Sequence, residues 1–88
     1  MNFINVGYGN MVAVERIVTL ASPDSAPIKR LIQEARDRGM LIDASYGRKT
    51  KAVLLMDTDH VILSAISTQA VYDRWMDKQT NETEEEEL

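Results

Sequence analysis

Apolar residues along this chain come in short runs separated by turn-forming residues. Residues 3–6 form the first apolar run, which stops at Gly7-Tyr8-Gly9-Asn10, a turn composition. Residues 11–14 and 16–21 read as strands, or as one bent strand with Glu15-Arg16 at the bend. Alternation along the second part puts Arg16, Val18 and Leu20 on one face. The pattern predicts an N-terminal β-meander.

The period then changes. Ser22-Pro23-Asp24-Ser25-Ala26-Pro27 breaks the strand, Ser25 suits a helix N-cap, and Pro27 is tolerated in a first turn where its missing N–H has no partner to lose. Ile28, Leu31, Ile32 and Ala35 recur at i, i+3, i+4 and i+7, the apolar stripe of an amphipathic helix, and Gly39 supplies a C-terminal stop. On the helical wheel Lys29 and Arg36 share one flank, while Arg30, Glu34 and Arg38 share the other, where i,i+4 pairing neutralises part of their charge.

Strand periodicity returns over residues 40–46, where Met40, Ile42, Ala44 and Tyr46 alternate with Leu41, Asp43 and Ser45. Residues 47–50 then read as the loop of a hairpin and 52–56 as its returning arm. Asp57-Thr58-Asp59 turns the chain again into residues 60–66, completing a second three-stranded meander. The segments 52–56 and 61–63 are apolar at every position, which suits burial between layers or at a subunit interface. Ser67 or Thr68 caps a last helix over about residues 69–78. Its Val71/Trp75 and Tyr72/Met76 pairs at i,i+4 make an apolar face of large side chains, read as core or as interface.

The fold expected is therefore α+β: one small domain, residues 1–79, with two antiparallel β-meanders, a central amphipathic helix and a C-terminal helix, followed by an acidic disordered tail at 80–88. With 88 residues, 44% of them apolar and none cysteine, the chain has a small core and no disulfide to reinforce it, so self-association is the expected supplement. Leu54, Met56, Val61, Leu63, Tyr72, Trp75 and Met76 are the expected interface. No run approaches the 18 or so apolar residues that span a bilayer, and residues 1–10 lack a basic signal-peptide start. A cytoplasmic location is expected.

Charge changes the picture more than composition does. The formal net charge is −4, but five of the fourteen acidic residues lie in 82–88, and the rest of the chain has a net charge of +1. Residues 29–51 hold seven basic side chains against Glu34, Asp37 and Asp43. The densest group, Arg48-Lys49-Thr50-Lys51, has no acid to neutralise it and reads as a phosphate-contacting loop or as a solvated hairpin tip.

Little catalytic chemistry is available. One histidine and no cysteine exclude thiolate metal cages and Cys/His dyads. Asp57, Asp59 and His60 cluster at a turn, but Asx-turn chemistry explains the aspartates without a metal. Gly7-Tyr8-Gly9 lacks the third glycine and the following helix of a dinucleotide fingerprint. The chain is read as no enzyme, with no cofactor, no metal and no small-molecule substrate.

The phrases Ser22-Pro23-Asp24-Ser25-Ala26-Pro27-Ile28-Lys29-Arg30, Arg36-Asp37-Arg38-Gly39-Met40-Leu41-Ile42-Asp43-Ala44, Tyr46-Gly47-Arg48-Lys49-Thr50-Lys51-Ala52-Val53 and Met56-Asp57-Thr58-Asp59-His60-Val61-Ile62-Leu63-Ser64-Ala65 occur in this order. Together they resemble the RemA family, from Gly7-Tyr8-Gly9-Asn10 to about Ile66. The resemblance implies a bacterial activator of extracellular-matrix and biofilm genes, nucleoid-associated. It would bind double-stranded DNA without a helix-turn-helix and assemble as a homo-oligomeric ring, expected to be an octamer. It maps DNA contacts onto Arg16 and the pair Arg48-Lys49; the charge pattern adds Lys51 beside them and Lys29, Arg30 and Arg36 as secondary contacts. Lys49 and Lys51 stand where relatives carry arginine, so the charge is kept and bidentate recognition at those two positions is lost. Repetitive promoter DNA would be bent or wrapped on the ring. The competing readings are a scaffolding oligomer for acidic protein partners and an RNA-binding regulator.

Overall fold

In the computed structural model, residues 1–77 are described in full and residues 78–87 by their helical backbone alone; the tail expected at 80–88 falls on these residues and on residue 88, which lies outside the described residues. The strands are β1 (Phe3–Asn5), β2 (Met11–Ala13), β3 (Ile17–Ala21), β4 (Leu41–Asp43), β5 (Ala52–Met56) and β6 (Val61–Ser64). The helices are α1 (Ala26–Asp37) and α2 (Thr68–Glu87), and a single 3-10 turn, Val14–Arg16, separates β2 from β3. The α+β class expected from the periodicities is the one observed.

Helix α1 begins and ends as its sequence dictates. Ser25 is its N-cap, accepting from the Ile28 amide, and Pro27 lies in the first turn. At the other end Gly39 is left-handed, and two bonds, Gly39 N–H to Arg36 O and Met40 N–H to Ala35 O, close a Schellman motif. Ser67 caps α2 through the Ala70 amide.

The strands pair differently from the two meanders expected. β1 and β2 form a two-stranded antiparallel sheet by themselves. β3 leaves them and joins a four-stranded sheet of order β3-β5-β6-β4, in which β4 runs parallel to β6. Of the second meander only the β5-β6 hairpin forms, closed by Met56 N–H on His60 O. The 47–50 loop is therefore no hairpin tip, because β6 lies between β4 and β5. The reason is burial: β5 and β6 are apolar on both faces and take the centre of the sheet, whereas the three-residue β4, with exposed Ile42 and Asp43, belongs at an edge. The shared face expected for Arg16, Val18 and Leu20 is also absent. Arg16 lies in the 3-10 turn, and a bulge between Ile17 and Thr19 leaves Val18 exposed while Leu20 packs on the core.

Two clusters fill the two sides of the large sheet. On one side Ala35, Ile28, Leu31 and Ile32 of α1 pack on Val53, Val61 and Leu63. On the other, Ile4, Val6, Val12 and Val14 pack with Leu54, Met56, Ile62 and Val71 of α2. This three-layer burial corrects the interface assignment of Leu54, Met56, Val61 and Leu63. Their strands are two-sided because both sides are covered within the chain, which leaves Leu54, Val61 and Leu63 almost no surface and Met56 only an edge on the groove beside Arg16. The face expected on α2 divides likewise: Val71 is fully buried and Trp75 packs on the core, while Tyr72 and Met76 are exposed.

Candidate nucleic-acid interface

The connection from β4 to β5, residues 44–51, is anchored at the C-terminal end of β6. Ala44 N–H bonds to Leu63 O and Lys51 N–H to Ser64 O, both within 2.9 Å. Inside the loop the Asp43 carboxylate accepts from the Ser45 amide at 2.9 Å and from the Ser45 hydroxyl. These bonds, with the more distant charge of Arg36, hold the Asp43 carboxyl below the ordinary carboxylate range. Arg48 N–H then closes on Ser45 O at 3.1 Å, making a tight turn with Tyr46 and Gly47 at its centre. Both central residues have positive φ, 57° and 76°, the requirement of a type I′ turn.

The β1-β2 turn repeats the design. Asn10 N–H closes on Gly7 O at 3.0 Å around Tyr8 and Gly9, with φ of 53° and 78°. The fully buried Ser64 brings the two turns together: its hydroxyl donates to Val6 O at 2.6 Å while its carbonyl holds the Lys51 amide. The rings of Tyr8 and Tyr46 consequently stack, with centroids 5.0 Å apart and planes 8° from parallel. A left-handed conformation costs a bulky residue about 1–2 kcal/mol, and an aromatic pair returns about 0.5–1.5 kcal/mol. Sequence reading found the first turn, but it left Tyr46 at the end of a strand and placed the second loop at 47–50. It missed the ring pair, whose only trace was the repeated Tyr-Gly dipeptide.

Arg48, Lys49 and Lys51 are exposed on this loop, as expected. Arg16 lies elsewhere. Its carbonyl accepts the Asp57 amide and its guanidinium pairs with the Asp57 carboxylate at 3.2 Å, so it sits beyond the C-terminal end of β5 while Lys51 precedes the N-terminal end. Six residues of extended chain separate the two positions, roughly 20 Å. Within one subunit Arg16 does not extend the basic surface of the loop. It borders instead an apolar groove of about 320 Å³ that includes the exposed Met11 and Ile42. Lys29, Arg30 and Arg36 are exposed on α1. The pairing expected of Arg30 and Arg38 with Glu34 does not form, and Arg16–Asp57 is the one ion pair among the described residues.

The Asp57, Asp59 and His60 cluster is a turn. Asp59 is left-handed, Asp57 faces Arg16, and His60 Nδ1 lies 2.7 Å from the Thr58 hydroxyl. Among the described residues no group of three or more His, Cys, Asp or Glu side chains is placed to hold a metal, and no helix is long and apolar enough to cross a membrane.

The fold and the loop together define a small α+β protein that displays cations on a rigid, strained turn. Residues 3–75 match the RemA-like family, described as extracellular matrix regulatory protein A-like, and the chain belongs to that family. It is 57% identical over 82 residues to a protein of Carboxydothermus hydrogenoformans, covering 93% of this chain and 94% of the other. A protein of Geobacillus kaustophilus is 61% identical over 74 residues, 84% of this chain and 85% of its own. One from Clostridium perfringens is 55% identical over 87 residues, 99% and 98% of the two chains. The names of all three place them provisionally among regulatory proteins, so a regulatory role is the family's assigned character.

Proposed function

We propose that the protein is a DNA-binding transcriptional regulator, an activator of extracellular-matrix genes in the manner its family description suggests, that holds duplex DNA through Arg48, Lys49 and Lys51. The observation carrying this reading is the loop itself. Three exposed cations stand on a loop fixed by three backbone hydrogen bonds, with no acid from Ala44 to Met56 and none of the three in an ion pair among the described residues. A loop whose backbone is already fixed need not be ordered on meeting phosphates, and Arg48 retains the planar fork that matches a phosphate.

One loop with three phosphate contacts binds non-specific DNA weakly, with Kd of about 10⁻⁴ to 10⁻⁶ M. Repeating the loop around a closed homo-oligomer raises avidity by roughly 10²- to 10⁴-fold where several loops reach one duplex. The opposite placement of Arg16 and the loop suits a head-to-tail ring, in which Arg16 of one subunit approaches the loop of the next. DNA following such a ring is bent, and deformable sequence is favoured over particular bases.

The test is salt-dependent binding of duplex DNA by the full chain and by the double variant Arg48→Ala, Lys49→Ala. The variant is expected to keep its thermal midpoint and assembly size, to bind more weakly, and to show a slope of log K against log salt shallower by about 0.9 per contact removed. Unchanged affinity in the double variant refutes the assignment. Single-stranded RNA competing better than duplex DNA would move the reading to RNA.

A further inference from the structure

The two Tyr-Gly turns carry information that the cations do not. Type I′ positions reward glycine, asparagine and aspartate and penalise a ring. Both turns nonetheless place tyrosine at the first central position, and both rings end at one spot. Packing does not explain them, because stacking leaves Tyr8 50% and Tyr46 75% exposed. Strained residues that the surrounding structure over-determines gather where their geometry is used. Here the strain secures a flat aromatic surface, held still in water, beginning two residues before Arg48.

We propose that the Tyr8–Tyr46 pair is a non-ionic DNA contact that lies against the deoxyribose face of the backbone, beside the phosphates held by Arg48 and Lys49. This rests on the reading of the chain as a DNA-binding protein. Two stacked rings are too thick to enter a single base step, so the surface fits the outside of the backbone. Such a contact carries no base identity; it sets orientation and register, as phosphate and sugar contacts do. It also supplies affinity that does not come from counterion release and therefore persists at high salt.

Asparagine makes the test clean, since it accepts the left-handed turn position and removes the ring. Tyr46→Asn, Tyr8→Asn and Tyr46→Phe are compared with the native chain and with Arg48→Ala, by titrating a labelled duplex at several salt concentrations and recording thermal midpoints. Tyr46→Asn is expected to keep or raise the midpoint and to lose about two- to tenfold in affinity at every salt, less than the loss of a ring stacked on a base. Its slope of log K against log salt should match that of the native chain. Tyr46→Phe should bind like the native chain, and Arg48→Ala should show the shallower slope. Native affinity in both asparagine variants, with Arg48→Ala impaired, overturns the tyrosine contact and leaves the DNA reading standing. A loss accompanied by a shallower slope overturns it too, because the rings then only position Arg48. Failure of the native chain to bind duplex DNA overturns both readings together.

Discussion

Replacing Ser64 by alanine removes a single oxygen from the chain, and that oxygen joins the two sheets. The hydroxyl donates to Val6 O at 2.6 Å and accepts from the Ile66 amide at 3.1 Å, and the residue has no exposed surface. Alanine fits the space, so the cost comes from the groups left behind. Stranding a buried backbone donor or acceptor costs about 1–3 kcal/mol. Val6 is fully buried and should carry the whole penalty, whereas Ile66 is half-buried and should carry less. The sum is about 2–4 kcal/mol, a large share of the roughly 5–15 kcal/mol available to a small domain. At about 4–8 °C per kcal/mol for a chain of this size, the midpoint should fall by roughly 8–30 °C.

Urea denaturation at fixed protein concentration measures this, with a lower midpoint and an unchanged m-value expected. Ser25→Ala is the internal standard, because an exposed N-cap loses about 1 kcal/mol. The same experiment reads the candidate site. Without the Ser64 bond the turn after β1 is free of the end of β6, so the ring-current shifts between Tyr8 and Tyr46 should weaken in the proton NMR spectrum. If Ser64→Ala costs less than Ser25→Ala and leaves those shifts intact, this serine is not what holds the turns together.

Asp43 and Glu15 both titrate below the ordinary carboxylate range, Asp43 chiefly through the Ser45 hydroxyl and Glu15 chiefly through the Asn2 amide. Their stabilising effect should be complete above the unfolded value of about 4 and vanish as pH falls through their lower folded values; Asp43→Asn should flatten this acid limb in a stability-against-pH series. Asp57→Asn frees the Arg16 guanidinium from an exposed pair worth about 0–1 kcal/mol, so stability should hardly change while the salt slope of DNA binding steepens. Tyr72→Glu with Met76→Glu places charge on the exposed side of α2 and should reduce the mass found by light scattering without unfolding the monomer, if that side joins subunits.

Local order was legible because local physics decides it. The stripe from Ile28 to Ala35, the Ser25 cap and the Gly39 stop all act within a few residues, and α1 forms as read. Strand partners are decided elsewhere. Alternation in residues 40–46 says that a strand exists but not that β6 will lie between it and β5; that follows from competition for the sheet centre, which the two-sided strands win. The same competition hid the fate of Leu54 and Val61, since an apolar strand reads alike whether a helix or another subunit covers it. The cationic loop needed no tertiary knowledge to find. The ring pair did, because Tyr8 and Tyr46 are brought together by Ser64, far from both in sequence.

The position of that serine ties the candidate surface to the core. Its hydroxyl holds the first turn, its carbonyl holds Lys51, and its strand neighbours Leu63 and Ile62 pack on opposite sides of the sheet. Loop cations and stacked rings are thus attached to the most buried strand of the fold, which limits how far they move when a ligand approaches. Arg16 lacks this attachment. It projects from a 3-10 turn at the far end of the sheet and faces a carboxylate within its own chain. Two contacts roughly 20 Å apart on one subunit correspond to about six base pairs along a duplex, whereas a head-to-tail neighbour would bring the Arg16 end beside the loop. The two arrangements separate in a monomeric variant. It should lose the contribution of Arg16 if that contact is made across subunits, and keep it beside the weak, salt-sensitive grip of Arg48, Lys49 and Lys51 if one subunit makes both.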